Sequence, residues 1–194
     1  MADDAVRCVV GLGNPGPRYA DTRHNAGFWF VDELARRYGG QFRSEAKFHA
    51  EACRVQVAGV DCWLLKPMTY MNRSGQAVSA FAKFYKLAPS QLLVAHDELD
   101  MPPGVVRLKR GGGHGGHNGL RDIASALSDN GFLRLRLGIG HPGHRDQVVD
   151  YVLDRPSRAD AEAIAGVLGR AADELPALLA GELQRAMHRL HSEG

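Results

Sequence analysis

The sequence predicts an α/β protein: a single domain built on a mixed, twisted sheet with helices flanking both faces. Three observations predict it. Short apolar runs recur as buried-strand candidates at residues 6–12 and 92–95. Segments with apolar residues at i, i+3, i+4 and i+7 lie between them, and strands that alternate with helices call for a sheet covered on both sides. Two runs at residues 50–57 and 62–65, joined by a Gly59-Val-Asp61 turn region, read as a hairpin, which makes the sheet mixed rather than purely parallel. The length of 194 residues fits one domain, taken as residues 1–194.

Each element has its own signal. The first strand runs into Gly11-Leu-Gly-Asn-Pro-Gly16, which matches the dinucleotide fingerprint G-x-G-x-x-G. That fingerprint requires the glycines to open a helix. Here residues 17–24 are polar and non-periodic, so a loop is expected and nucleotide binding is disfavoured. The first helix follows Asn25 as its cap, with Val31, Leu34, Ala35 and Tyr38 on one face and Gly39-Gly40 as its stop. After the hairpin, residues 66–75 form a polar break just past a strand end. A helix follows with Val78, Phe81, Ala82 and Tyr85 on one face. The run 92–95 delivers His96-Asp-Glu-Leu-Asp100 at its carboxyl end. A turn at Pro102-Pro-Gly104 leads to a basic strand at 105–110 and then to a loop in which six of nine residues, 111–119, are glycine. Leu120, Ile123, Ala124 and Leu127 give the next helix face. Residues 133–137 alternate Leu and Arg, which predicts a half-buried strand whose other face is positive through Arg134 and Arg136. A short helix is expected over 146–153. The segment from Gly143 to Asp150 is a candidate lid because glycines flank a short helix beside the expected crevice. Beyond Arg155-Pro156, Ser157 caps a pattern through Ile164, Val167, Leu168, Ala171 and Leu175, and a last helix covers 183–190.

Composition narrows the function. A net charge of +2 permits an anionic partner without demanding one. Three cysteines without CxxC spacing argue against a disulfide framework or a zinc site. No run of 18 apolar residues is present, and the acidic start Met1-Ala-Asp-Asp-Ala has no apolar core of a signal peptide, so a soluble, cytoplasmic protein is expected.

In open α/β sheets, ligands bind beyond the carboxyl ends of the strands. The polar breaks around Asn14, Asn72, Asp97 and His117-Asn118 are therefore expected to share one crevice. Pooled with His24, Tyr19 and Tyr70, they supply histidine, a carboxylate and amides. There is no G-x-S-x-G elbow and no H-E-x-x-H. A neutral histidine takes a proton from water near pH 7, and a buried aspartate fixes its tautomer. Amides donate to an oxyanion or read a peptide backbone. Hydrolysis by an activated water, without a covalent intermediate, is the chemistry suggested. The residues alone leave the histidine open among His24, His96, His114 and His117, with His96 and Glu98 an equally available acid–base pair.

Five motifs taken together resemble bacterial peptidyl-tRNA hydrolase: Gly11-Leu-Gly-Asn-Pro-Gly16, Thr22-Arg-His-Asn-Ala-Gly27, Tyr70-Met-Asn-Arg-Ser-Gly75, His96-Asp-Glu-Leu-Asp100 and Gly112-Gly-His-Gly-Gly-His-Asn-Gly-Leu120. Their order and spacing match over residues 6–153. The resemblance implies a metal-free, cofactor-free, usually monomeric enzyme with no obligate protein partner. Such an enzyme cleaves the ester between a peptide and the 3′ end of tRNA. It implies His24 as base, Asp97 as its carboxylate, and Asn14 as the residue separating blocked from free aminoacyl-tRNA. Tyr19, Tyr70, Asn72 and Asn118 would bind the peptide–adenosine end, with Met71 and His117 lining the crevice. Arg107, Lys109, Arg136 and Arg145 fall where the family places basic residues near tRNA phosphates. Two rivals are carried forward: an RNA-binding module of this fold without catalysis, and a nucleotide-dependent oxidoreductase using the first glycine motif.

Overall fold

The computed structural model describes residues 4–192; the leader reading at Met1–Asp3 and the outermost ends of the expected domain lie outside the described residues. Seven strands form one sheet in the order β2-β3-β4-β1-β5-β7-β6. They are β1 (Cys8–Gly11), β2 (Arg43–Glu45), β3 (Ala50–Val57), β4 (Val60–Pro67), β5 (Leu92–Glu98), β6 (Val106–Arg110) and β7 (Leu133–Gly138). β4, β1, β5 and β7 are parallel, while β2, β3 and β6 add antiparallel edges. The mixed sheet expected from the hairpin is therefore present. One face carries α1 (Ala26–Tyr38), α5 (Arg158–Ala172), α6 (Leu175–Leu179) and α7 (Leu183–Ser192), packed on Val9, Leu93, Leu135 and Leu137. The other carries α2 (Ser74–Phe84) and α3 (Asn118–Leu127), packed on Cys8, Val10, Leu92 and Val94. Alternate residues of β1 and β5 thus feed opposite cores, as period two requires. Both faces being covered explains why these strands read as continuous apolar runs.

Four expectations are corrected. β5 does not end at residue 95 but runs to Glu98, so His96 and Asp97 belong to the strand itself. β7 shows no free positive face. Arg134 is buried, its guanidinium donating to the carbonyls of Gly112, Gly113 and Asn130, while Arg136 donates to Glu98 at 3.0 Å. A buried cation is tolerable because these acceptors replace its hydration. Asn25 precedes α1, yet its side chain does not cap the helix; it is engaged with Asn14 instead. The pattern from Ile164 to Leu175 divides into α5 and α6 because the chain turns at Asp173-Glu174. The short polar strand β2 carried no apolar signal and is held by pairing with β3. The segment after Gly16 stays in turns and opens no helix, as its polarity indicated.

The start of α1 lies hard against the sheet. A Cβ at Gly27 would overlap the Ala95 carbonyl and the Leu12 backbone. Backbone cannot retreat as a flexible side chain can, so helix and strands meet here only through glycine. No helix among the described residues is long and apolar enough to cross a membrane. Gly27→Ala should force α1 outward and destabilise the fold by about 1–3 kcal/mol. Urea denaturation checks this, and an unchanged midpoint would refute the close packing.

Candidate active site

Four parallel strands send their carboxyl ends to one edge, and the loops that follow them close around a cavity of about 320 Å³. β1 delivers Asn14, β4 delivers Tyr70, Met71 and Asn72, and β5 supplies His96, Asp97 and Glu98. The glycine-rich loop brings His114, His117 and Asn118. A 3₁₀ turn over Arg23–Asn25 places His24 beside them. The convergence expected from topology is thus present for nearly every residue singled out. Tyr19 lies further out, edge-on to Tyr70 with ring centroids 6.4 Å apart, and Tyr70 itself is 62% exposed at the rim.

The centre is Asp97, 4% exposed and bonded on both carboxylate oxygens. Its Oδ2 lies 2.8 Å from His24 Nδ1, and its Oδ1 lies 2.8 Å from His117 Nε2. Burial pushes the Asp97 carboxyl upward, but the neighbouring His24 and His117 outweigh it and hold the group well below the usual carboxylate range. Burial lowers His24, while the Asp97 charge and hydrogen bond raise it more, so His24 ends above its usual 6.5. With Nδ1–H given to Asp97, the Nε2 lone pair of neutral His24 is the basic atom left for a ligand. The three side chains also bring one possible metal-ligand atom each within 4.8 Å of one another. The atoms that meet do so at hydrogen-bond distance, and the carboxylate oxygens are already engaged.

Sequence alone left four histidines open, and geometry separates them. His96 is 2% exposed, places Nδ1 2.8 Å from the Asp97 carbonyl oxygen, and is lowered to about 4 by burial and by His117. It stays neutral and away from the carboxylate of Asp97. Its expected partner Glu98 is instead ion-paired with Arg136. His114 is exposed and its Nδ1 accepts from Gly116 N–H. His117 has both ring nitrogens occupied, since Nδ1 accepts from Gly119 and Leu120 N–H. Of these four, only His24 combines a carboxylate partner with a ring nitrogen left over.

Asn14 is held from three directions. Its backbone N–H donates to Asn25 Oδ1 at 2.8 Å, its carbonyl accepts from Asn25 Nδ2 at 3.0 Å, and its Oδ1 accepts from Met71 N–H at 2.7 Å. That last bond fixes the amide orientation and leaves the NH₂ as the group Asn14 offers the cavity. Asn72 and Asn118 are exposed residues that line the same cavity. The cavity also has an apolar lining: Leu99, Val148, Val149, Val152 and Leu153. Sequence reading missed it, although the short helix α4 (Val148–Val152) was expected there. Arg23 ties that helix down, donating to the Tyr151 carbonyl at 2.9 Å with its guanidinium 3.8 Å from the Tyr151 ring centroid. Of the basic group, Arg107 faces Arg136 across the β6–β7 pair, Lys109 lies beside the glycine loop, and Arg145 is exposed near α4.

A histidine backed by a buried carboxylate, in a cleft of amide donors at the carboxyl edge of an α/β sheet, fits the class of hydrolases that activate a water. The comparisons specify which. The family model for peptidyl-tRNA hydrolase matches residues 8–194. A peptidyl-tRNA hydrolase of Halorhodospira halophila is 62% identical over 96% of this chain and 96% of its own length. One of Methylococcus capsulatus is 56% identical over 96% and 99%. The crystal structure of the Acinetobacter baumannii peptidyl-tRNA hydrolase superposes with a TM-score of 0.95 at 49% identity, covering 99% of this chain and 96% of that one. The chain belongs to the peptidyl-tRNA hydrolase family.

The His24 titration follows from this geometry. Stability from its raised value is present below pH 6.5 and lost as pH rises through the folded value. The ring of His24, followed by NMR, should titrate above 6.5 in the wild type. In Asp97→Asn it should titrate below 6.5, because burial then acts alone. An unchanged titration would show that Asp97 does not govern His24.

Proposed function

We propose that this chain hydrolyses the ester joining a peptide, or an N-blocked aminoacyl group, to the 3′ end of tRNA, with His24 as general base. The observation that carries the reading is the His24–Asp97 pair, which leaves a basic Nε2 beside amide donors in the cavity where the strand ends converge. Nε2 takes a proton from water as the water oxygen attacks the ester carbonyl. The bond to the 3′-oxygen then breaks, and the imidazolium returns the proton to that oxygen. Asn72, Asn118 or a backbone N–H of the glycine loop donates to the oxyanion in between. No covalent enzyme intermediate, metal or cofactor enters this scheme.

Asn14 gives a physical basis for choosing blocked substrates. Its NH₂ is a donor, and an N-acyl carbonyl accepts from it. A free aminoacyl ester lacks that carbonyl and brings an ammonium, so two donors would face each other. Tyr70 and Tyr19 form a rim on which the terminal adenosine stacks, with Met71 beneath. Arg107, Lys109 and Arg145 meet phosphates without reading sequence, which suits a substrate class of many tRNAs, whereas Arg136 is taken up by Glu98. We assign the enzyme to the cytoplasm, acting as a monomer over the whole chain, 1–194. The non-catalytic RNA-binding alternative is unsupported, because the close relatives bear the name of the hydrolase and the His24–Asp97 pair is intact.

His24→Ala should lose at least about 10²-fold in hydrolysis of N-acetyl-aminoacyl-tRNA, since general-base catalysis supplies roughly 10²–10⁴. Retention of more than about a tenth of wild-type activity would remove His24 as base. Unblocked aminoacyl-tRNA serves as the control and should be spared by the wild type. Binding of tRNA should weaken with salt, and Lys109→Ala should reduce the slope of log affinity against log salt by about 0.7–0.9. A slope unmoved by the substitution would take Lys109 out of the interface.

A further inference from the structure

We infer that His117 is a positioning residue for the base, acting through Asp97, and is not itself a ligand for the substrate. The inference rests on the assignment of His24 as base. Its first support is a forced tautomer. Nδ1 of His117 receives the backbone N–H groups of Gly119 at 3.1 Å and Leu120 at 3.3 Å, the first turn of α3. A backbone N–H only donates, so Nδ1 carries no proton. The neutral ring then holds its proton on Nε2, which lies 2.8 Å from Asp97 Oδ1 and donates to it. The helix cap thereby dictates which end of His117 carries the N–H.

The second support is what that N–H does. A carboxylate bonded through one oxygen can turn about its Cβ–Cγ bond. Bonded through both, Asp97 is fixed with Oδ2 toward His24 Nδ1. The tilt of His24, and so the direction of its Nε2, follows. The Nε2–H of His117 also draws on the same negative charge that holds a proton on His24, tempering its basicity. The other titratable groups around this centre are His96, beside Asp97 on β5 and 5.1 Å from His117 between ring centroids, and Glu98, paired with Arg136 of β7. His24 and His117 rings lie 5.1 Å apart with a 49° tilt, so they meet through Asp97 and not by stacking. With both nitrogens occupied by protein, His117 has no hydrogen-bonding atom left for the substrate.

Two variants divide its two bonds. Asn at 117 keeps an acceptor near the Nδ1 position and so the cap on α3, but cannot reach Asp97. Gln at 117 extends an N–H toward Asp97 but withdraws the cap. His117→Asn should keep Tm close to wild type, lower kcat roughly tenfold with little change in KM, and move the acidic limb of kcat/KM upward by about half a pH unit or more. The sign follows because Asp97, losing one donor, holds the His24 proton more firmly, and the base must be neutral to act. His117→Gln should lower Tm and return the limb to the wild-type position. A limb unmoved in His117→Asn, or a loss confined to KM, would overturn the inference, as would a shifted limb in His117→Gln. His24→Ala measured alongside separates the two claims. Activity surviving there refutes the base itself. An unmoved limb in His117→Asn, with His24 still essential, refutes only the role of His117.

Discussion

A carboxylate removed from water costs several kcal/mol unless hydrogen bonds replace its hydration. Asp97 meets that condition with two ring N–H donors at 2.8 Å, from His24 on one side and His117 on the other. Charge-assisted hydrogen bonds contribute about 1.5–3 kcal/mol each. One donor alone would leave the anion poorly compensated, and two bring it near balance. The same pair of bonds sets the tautomer of His24 and turns its Nε2 to the cavity. Burial, charge state and orientation are therefore one arrangement, and losing either donor disturbs all three.

The fold delivers that arrangement through one close backbone approach and through side chains that grip backbone groups. Asp97 lies within β5, paired with Leu137 of β7 and just beyond the last pairing of β5 with β1 at Ala95. His24 arrives just before α1, whose first turn touches the sheet at Gly27 without an intervening side chain. His117 arrives from a loop held by the guanidinium of Arg134 beneath it. Asn25 and the Met71 N–H clamp Asn14 between the ends of β1 and β4. Each group at the centre is thus attached to the sheet through a different element. These attachments fix the geometry of the cluster, which is what electrostatic catalysis would require of it.

Much of this was legible in the residues, for identifiable reasons. Buried parallel strands are apolar throughout, so β1 and β5 announced themselves, and the Gly59 turn announced the hairpin. Polar breaks after strand ends gave the crevice because sheet topology aligns those ends. What local pattern could not give was pairing across the chain. Nothing near Asn25 indicates that its amide serves Asn14, and the regular Leu–Arg alternation of β7 concealed that Arg134 turns inward to loop carbonyls. The extension of β5 through His96 and Asp97 was hidden because polar residues normally end a strand; here His24 and His117 satisfy the carboxylate from outside it. The choice among four histidines needed distances, since only a three-dimensional partner list shows which ring keeps a nitrogen free.

The central claim is that Asp97 organises the base and does little for substrate binding. Single-turnover hydrolysis of N-acetyl-aminoacyl-tRNA by Asp97→Asn, with tRNA affinity measured in parallel, tests it most directly. An amide offers one acceptor where the carboxylate offers two, and it presents a donor to a ring N–H. The account predicts affinity within about threefold of wild type and a chemical step slowed by about 10²-fold or more. A chemical step at the wild-type rate, or a defect wholly in affinity, would contradict it.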